Sequence, residues 1–233
     1  MIIGPNFILE EIEFIRAFNA KQEQQIAEFS SNLEEHYQRY EVARVYENLE
    51  GVFQVENTDA RQIEGISEED YDVKALFTQD MPMYQRQAML LTIWAVFESE
   101  LILYLRYAEK ELLNSAKLPT QIKGMSIFEC ILDGFKKLGA IKQPSKEFDA
   151  AFLFLNKKVR LVRNKWVHHA GIVDSEEQEE LATRGIELSG SKLLISRDYI
   201  EEVVAQMKII ASELDSSIKP LILTTYRIDR TEG

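Results

Sequence analysis

The stretch that decides the fold and the function is Val159-Arg-Leu-Val-Arg-Asn-Lys-Trp-Val-His-His-Ala-Gly171. The stretch contains no proline, and its only glycine is the last residue, where a helix commonly ends. At about 100° per residue, two separate arcs form on this helix. The polar arc, about 140° wide, holds Asn156, Lys157, Arg160, Arg163, Asn164, Val167 and His168. The apolar arc holds Phe152, Leu155, Val159, Val162 and Trp166, so one side is predicted to pack and the other to stay accessible.

The two adjacent histidines differ in their position on this helix. His168 falls on the side of Arg163 and Asn164, while His169 lies about 100° away, near Lys158 and Lys165. His168 is therefore the better candidate for chemistry.

The order Arg163-Asn164-x-x-x-His168, near the end of a late helix in a helical chain, resembles the signature of the HEPN superfamily. The resemblance covers residues 80–218. It implies an all-α helical bundle and a metal-independent endoribonuclease, with no cofactor, in which the ribose 2′-hydroxyl attacks the neighbouring phosphate. It also implies a homodimer whose motif helices face each other, acting as a toxin or in defence, with an antitoxin or other partner protein.

The resemblance assigns roles to the residues that match. His168 is expected to be the general acid or base, Arg163 the donor to the nonbridging phosphate oxygens, and Asn164 the amide that orients phosphate or imidazole. Lys157 and Arg160 are expected to hold the flanking phosphates of the RNA.

Glu98 is a predicted supporting residue. Its helical neighbours are Trp94, Ala95, Leu101 and Ile102, so an ionised carboxylate there needs a cation or donors. We expect Arg163 or Arg160 to meet it, unless Glu98 emerges at the edge of its helix.

Other interpretations of the motif remain open. A noncatalytic HEPN-like module would use the basic face to bind RNA, a nucleotide or a partner protein. Basic residues and histidines also stabilise a helix C-terminus without any chemistry, and a histidine on a bundle could accept a phosphoryl group. A metal site is not predicted, because the remaining histidine, His36, has no Glu-x-x-His or His-x-x-x-His partner.

Composition indicates a folded protein in a reducing compartment. The 233 residues are 45% hydrophobic and include a single cysteine, Cys130, which predicts a buried small side chain. With no signal segment or membrane span predicted, we expect a cytoplasmic protein. A net charge of −12 argues against nonspecific coating of nucleic acid, although residues 156–169 carry five Lys or Arg and no acidic residue.

Periodicity divides the chain into three predicted parts. Residues 1–79 form a long amphipathic helix from Asn6 to about Leu49, single or in two pieces, and an acidic connector with one short helix that Ser67 could cap. Residues 80–218 form the bundle. Its predicted elements are a helix opened by Pro82, a helix capped by Ser126 and ended by Gly139, the motif helix from Glu147 to His168, a hairpin within Gly185–Ser196, and a helix from Arg197 to about Ser217. Residues 219–233 are a tail.

Overall fold

The structure is a computed structural model that describes residues 6–49, 51–113, 121–183 and 186–231. These residues form two compact units. The main unit comprises the described residues up to 19 and from 86 onward, and the ribbon unit comprises residues 20–85.

The described chain is mostly helical, as predicted. Its α-helices are α1 (Asn6–Ser31), α2 (Leu33–His36), α3 (Val73–Ala75), α4 (Met81–Leu113), α5 (Ile127–Lys137), α6 (Lys146–Leu153), α7 (Arg160–His169), α8 (Ser175–Thr183) and α9 (Arg197–Thr231). Two π-helical segments, Leu76–Asp80 and Phe154–Val159, precede α4 and α7. The strands are β1 (Gln38–Glu47), β2 (Phe53–Ile63), β3 (Ile66–Ser67), β4 (Leu188–Ser189) and β5 (Lys192–Leu193).

The core of the main unit lies between α4, α5, the motif helix and α9. Trp94 and Phe97 of α4 both pack their rings near Phe128 of α5, at centroid distances of 5.7 and 6.0 Å. Tyr104 packs near Phe135 at 5.6 Å. All five rings are at most 1% exposed, so Trp94, Phe97 and Tyr104 of α4 belong to the core.

Local signals fix the helix boundaries around α5. Ser126 accepts a hydrogen bond from Glu129 N, and the Glu129 carboxylate accepts one from Ser126 N, which is a capping box. Gly139, with φ of 77°, follows the helix. Cys130 is fully buried, and both the predicted cap and the predicted buried cysteine are confirmed.

The predicted helical continuation from residue 38 to Leu49 is wrong, and so is the irregular connector after Gly51. An antiparallel ribbon of β1 and β2 occupies both segments, with β3 at the far edge of β2. Val42, Val45, Val52 and Val55 favour strand over helix. Ser67 lies in β3, and Asp72 rather than Ser67 caps the helix that follows.

The C-terminal part of the chain also differs from the prediction. The hairpin is confirmed as β4 and β5, although Gly185, its predicted start, lies outside the described residues. Helix α8 was not predicted, because its sequence is mainly Glu and buries only Leu181. Helix α9 continues beyond Ser217 through Pro220 to Thr231, where a tail was expected.

One helical stretch, Val73–Leu113, is long and apolar enough to cross a membrane by length and composition. Core helices of globular proteins meet the same test, and eight α4 side chains are at most 1% exposed. They are Leu90, Ile93, Trp94, Phe97, Leu101, Tyr104, Leu105 and Ala108.

Gly171 is required where the motif helix ends. Its φ is 76°, and an added Cβ would lie 2.7 Å from the buried ring of Trp166. We expect Gly171→Ala to lower the free energy of unfolding by about 2–4 kcal/mol, from backbone strain and overpacking together. Gly190, with φ of 58° and no described atom within 4 Å of such a Cβ, is the control and should lose only about 1 kcal/mol. Equal losses in urea unfolding would contradict the role of the Trp166 contact.

Candidate functional site

The candidate site lies on the motif helix, which we define as α6, the π-helical segment Phe154–Val159 and α7. Ser145 caps its start by accepting a hydrogen bond from Phe148 N at 3.0 Å. Its end is marked by two residues in the left-handed conformation, Ala170 and Gly171. The predicted apolar side is confirmed for Leu155, Val159, Val162 and Trp166, which are all at most 3% exposed, while Phe152 is partly buried.

A π-helical turn interrupts this helix just before the motif. The backbone N–H of Arg160 donates to Leu155 O, five residues back, instead of the usual four. The wider turn lets Asn156 as well as Leu155 enter the core. Asn156 therefore points inward and is 1% exposed, so its predicted place on the accessible polar face is wrong.

The buried Asn156 is bound to the capping box of α5. Its Nδ2 donates to Glu129 Oε1 at 2.8 Å. Ser126 N and Oγ donate to Glu129 Oε2 at 2.8 and 2.9 Å. The backbone N–H of Ser126 and the amide of Asn156 are the main causes that lower the pKa of Glu129 to about 2. An ionised carboxylate thus ties the start of α5 to the π-helical turn.

The two arginines of the motif lie next to this network and next to α4. Arg160 Nε donates to Asn156 O at 3.1 Å. Arg163 Nη1 donates to Asn164 Oδ1 at 2.8 Å, so these two predicted catalytic residues are coupled to each other. Arg160, Arg163 and Asn164 are all partly buried.

Glu98 of α4 faces these arginines. Burial raises its pKa, while the charge of Arg163, a hydrogen bond with Trp94 and the charge of Arg160 act in the opposite direction. The Arg163 charge is the largest of these three opposing effects. The charges of both arginines therefore act on Glu98, and its bracing role stays a prediction.

The two histidines are exposed at the end of α7, with ring centroids 6.5 Å apart and planes at 71°. The pKa of Glu177 is lowered by Lys165, by the Asp174 backbone and, least, by the charge of His169. His169 thus lies toward the Lys165–Glu177 ion pair. His168 is not among the causes of that shift, which agrees with the predicted difference between the two histidines.

The helix does not bring Arg163 and His168 together within one copy. Five residues of α-helix separate them by about 7.5 Å along the axis and about 140° around it. Lys157, predicted to hold a flanking phosphate, is exposed on the turn that precedes Arg160. One copy thus offers two arginines, an amide and a histidine along a helix rather than a closed pocket.

Ser126, Glu129 and Asn156 belong to this site and were not assigned to it from the sequence. The Ser-x-x-Glu spacing of a capping box is visible, but its link to Asn156 spans 27 residues. Asn156 follows the apolar pair Phe154-Leu155, which was the available signal that it enters the core.

Two cavities line the motif helix, and Arg163, Asn164 and His168 are not part of the lining of either. One, of about 290 Å³, is lined by Met125, Glu129, Phe148 and Phe152 among others. A second, of about 160 Å³, lies between Lys158 and Val162 of the motif helix and Tyr199 of α9. Within the described ranges, no group of three or more His, Cys, Asp or Glu side chains could hold a metal ion.

No protein-family model, characterised protein or solved structure matches this chain. The motif helix and its surroundings therefore carry the functional inference by themselves.

The Glu129 network predicts a dependence of stability on acid. The pKa of Glu129 is about 2 in the folded chain and about 4.3 when unfolded. This stabilisation is therefore complete above about pH 4.5 and is lost as the pH falls toward 2. We expect Glu129→Gln to lower the free energy of unfolding by about 1 kcal/mol at pH 7, after allowance for solvent screening.

The difference between parent and Glu129→Gln should shrink steadily in urea unfolding series taken from pH 5 to pH 2.5. Glu176→Gln, at an exposed residue of α8 outside the network, is the control. A difference that stays constant over this range would contradict the anchoring role of the Glu129 carboxylate.

Proposed function

We propose that the protein is a metal-independent endoribonuclease of HEPN type, with its site on the motif helix. The observation that carries the proposal is the coupled pair Arg163–Asn164, one turn before the exposed His168 and next to Arg160 and Glu98. The proposal includes a role as a toxin or in defence, which the HEPN resemblance suggests.

Charge supports RNA as the ligand. Residues 156–169 carry Lys157, Lys158, Arg160, Arg163 and Lys165 without an acidic residue, in a chain of net charge −12. Lys165 forms an ion pair with Glu177. The positive charge of this segment is therefore concentrated on the side of Arg160 and Arg163. Guanidinium groups bind phosphate oxygens in a planar, bidentate way, so this side suits an RNA backbone.

The reaction needs only groups that the chain supplies. The 2′-oxygen loses its proton to a base and forms a bond with the adjacent phosphorus, and the bond from phosphorus to the 5′-oxygen breaks. The products are a 2′,3′-cyclic phosphate and a 5′-hydroxyl that takes up a proton. His168 exchanges protons near neutral pH, and Arg163 stabilises the charge on the nonbridging oxygens.

A second copy is part of the proposal, because Arg163 and His168 of one copy lie apart along α7. Leu153 and Val167 are 58% and 48% exposed at the two ends of the accessible side of the motif helix. Two motif helices in antiparallel contact would cover these side chains. Such a contact would also bring Arg163 of one copy toward His168 of the other.

A noncatalytic binding module is the second candidate. Arg163 is already held by Asn164 and lies near the charge of Glu98, which suits a preformed anion site as well as a catalytic one. A binding module needs the arginines but does not need His168.

The histidines separate these two candidates. We expect His168→Ala to reduce the cleavage of labelled RNA, with EDTA present, by at least about 100-fold, the usual contribution of a general acid or base. His169→Ala, the matched control on the neighbouring exposed residue, should cleave nearly as well as the parent. Cleavage retained in His168→Ala would exclude the assignment, and RNA binding without cleavage in all three proteins would favour the binding module.

Glu98 provides a test of the arginine geometry. Because its pKa is raised in the folded chain, its ionisation opposes folding above the unfolded value, so Glu98→Gln should be at least as stable as the parent at pH 7. We expect its RNA cleavage to fall about tenfold, since Arg163 loses the charge that orients it. Urea unfolding measures the predicted stability, and the rate of RNA cleavage measures the predicted loss of activity. Unchanged cleavage would contradict the bracing role.

A further inference from the structure

The β-ribbon of the ribbon unit has a packed base and an uncovered tip. At the base, Ile63 is 1% exposed and packs with Leu33 and Val73. In the half near the turn, Val45, Phe53 and Val55 are 65%, 71% and 67% exposed. The ribbon is paired along its full length, from Gln38–Gln62 to Glu47–Phe53.

Near its base the ribbon buries apolar residues on both faces, because Ile63 and Ala60 lie on opposite faces of β2. Near the base, Tyr40, Val42 and Ala60 share a face and are buried or partly buried. Near the turn, the apolar residues Val45 and Val55 are direct cross-strand partners on the opposite face. Phe53, Val55 and Ile63 lie on one face of β2, and this face is buried at the base and exposed near the turn.

A ribbon with an uncovered apolar tip is expected to be unstable in water. Two strands alone are marginally stable in water. The exposed side chains Val45, Leu49, Val52, Phe53 and Val55 amount to several hundred Å² of apolar surface, similar to one side of a small specific interface.

We propose that a second copy of this chain covers the ribbon, with the two β1 strands paired antiparallel about a two-fold axis at Ala43. Among the strands that the structure describes, β1 pairs with β2 only, so its other edge is available. The proposal concerns an interface separate from the motif helix and does not depend on the proposed ribonuclease activity.

Charge complementarity selects the register. With Ala43 on the axis, Arg39 lies opposite Glu47 of the second copy, and Tyr40 lies opposite Tyr46 of the second copy, each twice by symmetry. A centre at Glu41 or at Arg44 would place like charges directly opposite each other.

The same register brings each tip to the base of the other copy. The base carries an apolar groove of about 370 Å³ whose lining includes Ile26, Phe29, Phe77, Met81 and Pro82. Phe29 and Phe77 pack against the cluster that contains Ile63, at the base of β2. The tip lies roughly 30 Å along the ribbon from that base, so it cannot fill this groove in its own copy without losing pairs. The proposed pairing places the tip of a second copy beside this groove.

Charge reversal tests the pairing directly. We expect Arg39→Glu and Glu47→Arg, each alone, to raise the dissociation constant of this interface at least tenfold and to halve the mass in sedimentation equilibrium at low salt. The double variant Arg39→Glu/Glu47→Arg should restore the parent mass. The two residues are about 27 Å apart on one strand, so rescue can arise only between copies. Unchanged masses in the single variants, or no rescue in the double variant, would overturn the proposal.

Cross-linking tests the register. Ala43→Cys should form a covalent dimer on mild oxidation, because the two residues 43 meet at the axis. Glu41→Cys, exposed on the same edge, should not, because residue 41 lies about 13 Å from its copy in this register. Equal cross-linking of both variants would overturn the register. A mass in sedimentation equilibrium that falls in Val167→Glu but not in Arg39→Glu would overturn the ribbon interface. That result would favour self-association through the motif helix.

Discussion

The hydrogen bond from the buried Asn156 amide to the Glu129 carboxylate is the contact on which the site depends. A polar side chain that is 1% exposed needs partners, and the capping box of α5 supplies a carboxylate already held in place by Ser126. With Asn156 turned inward, the backbone before α7 takes a π-helical turn. Arg160 and Arg163 follow on α7, where their charges act on Glu98 of α4.

The pKa values of the two carboxylates near the arginines are shifted in opposite directions. Glu129 accepts several hydrogen bonds, so it stays ionised and acts as a fixed anchor. Glu98 is partly buried with fewer donors, and desolvation outweighs the attraction of Arg163. Its charge is therefore sensitive to what else Arg163 binds. A phosphate at Arg163 would compete with Glu98, which links ligand binding to the α4 side of the site.

The sequence predicted those elements whose side chains follow one period and whose ends carry local signals. The capped α5, the apolar side of the motif helix and the C-terminal hairpin belong to this group. The ribbon was missed because Leu33, Tyr37 and Tyr40 also fit a helical spacing, and no glycine or proline lies between Pro5 and Gly51. The β-branched residues Val42, Val45, Val52 and Val55, which favour strands, were the overlooked signal.

The π-helical turn could not be predicted from local sequence, because the hydrogen bond that its Asn156 makes in the core is to a residue 27 positions away. A uniform helical wheel therefore placed Asn156 with the accessible residues. The positions of Arg163, Asn164 and His168 were less affected, since they lie within α7 after that turn. Their assignment to catalysis stays a prediction.

The central claim, a ribonuclease site that combines Arg163 of one copy with His168 of another, is tested most directly by mixing two inactive proteins. Arg163→Ala and His168→Ala, dissociated together and reassociated, should recover about a quarter of the parent cleavage, since half the dimers are mixed and each has one complete site. The cleavage activity of the parent protein after the same dissociation and reassociation is the reference value. A mixture no more active than its components would contradict a site shared between copies.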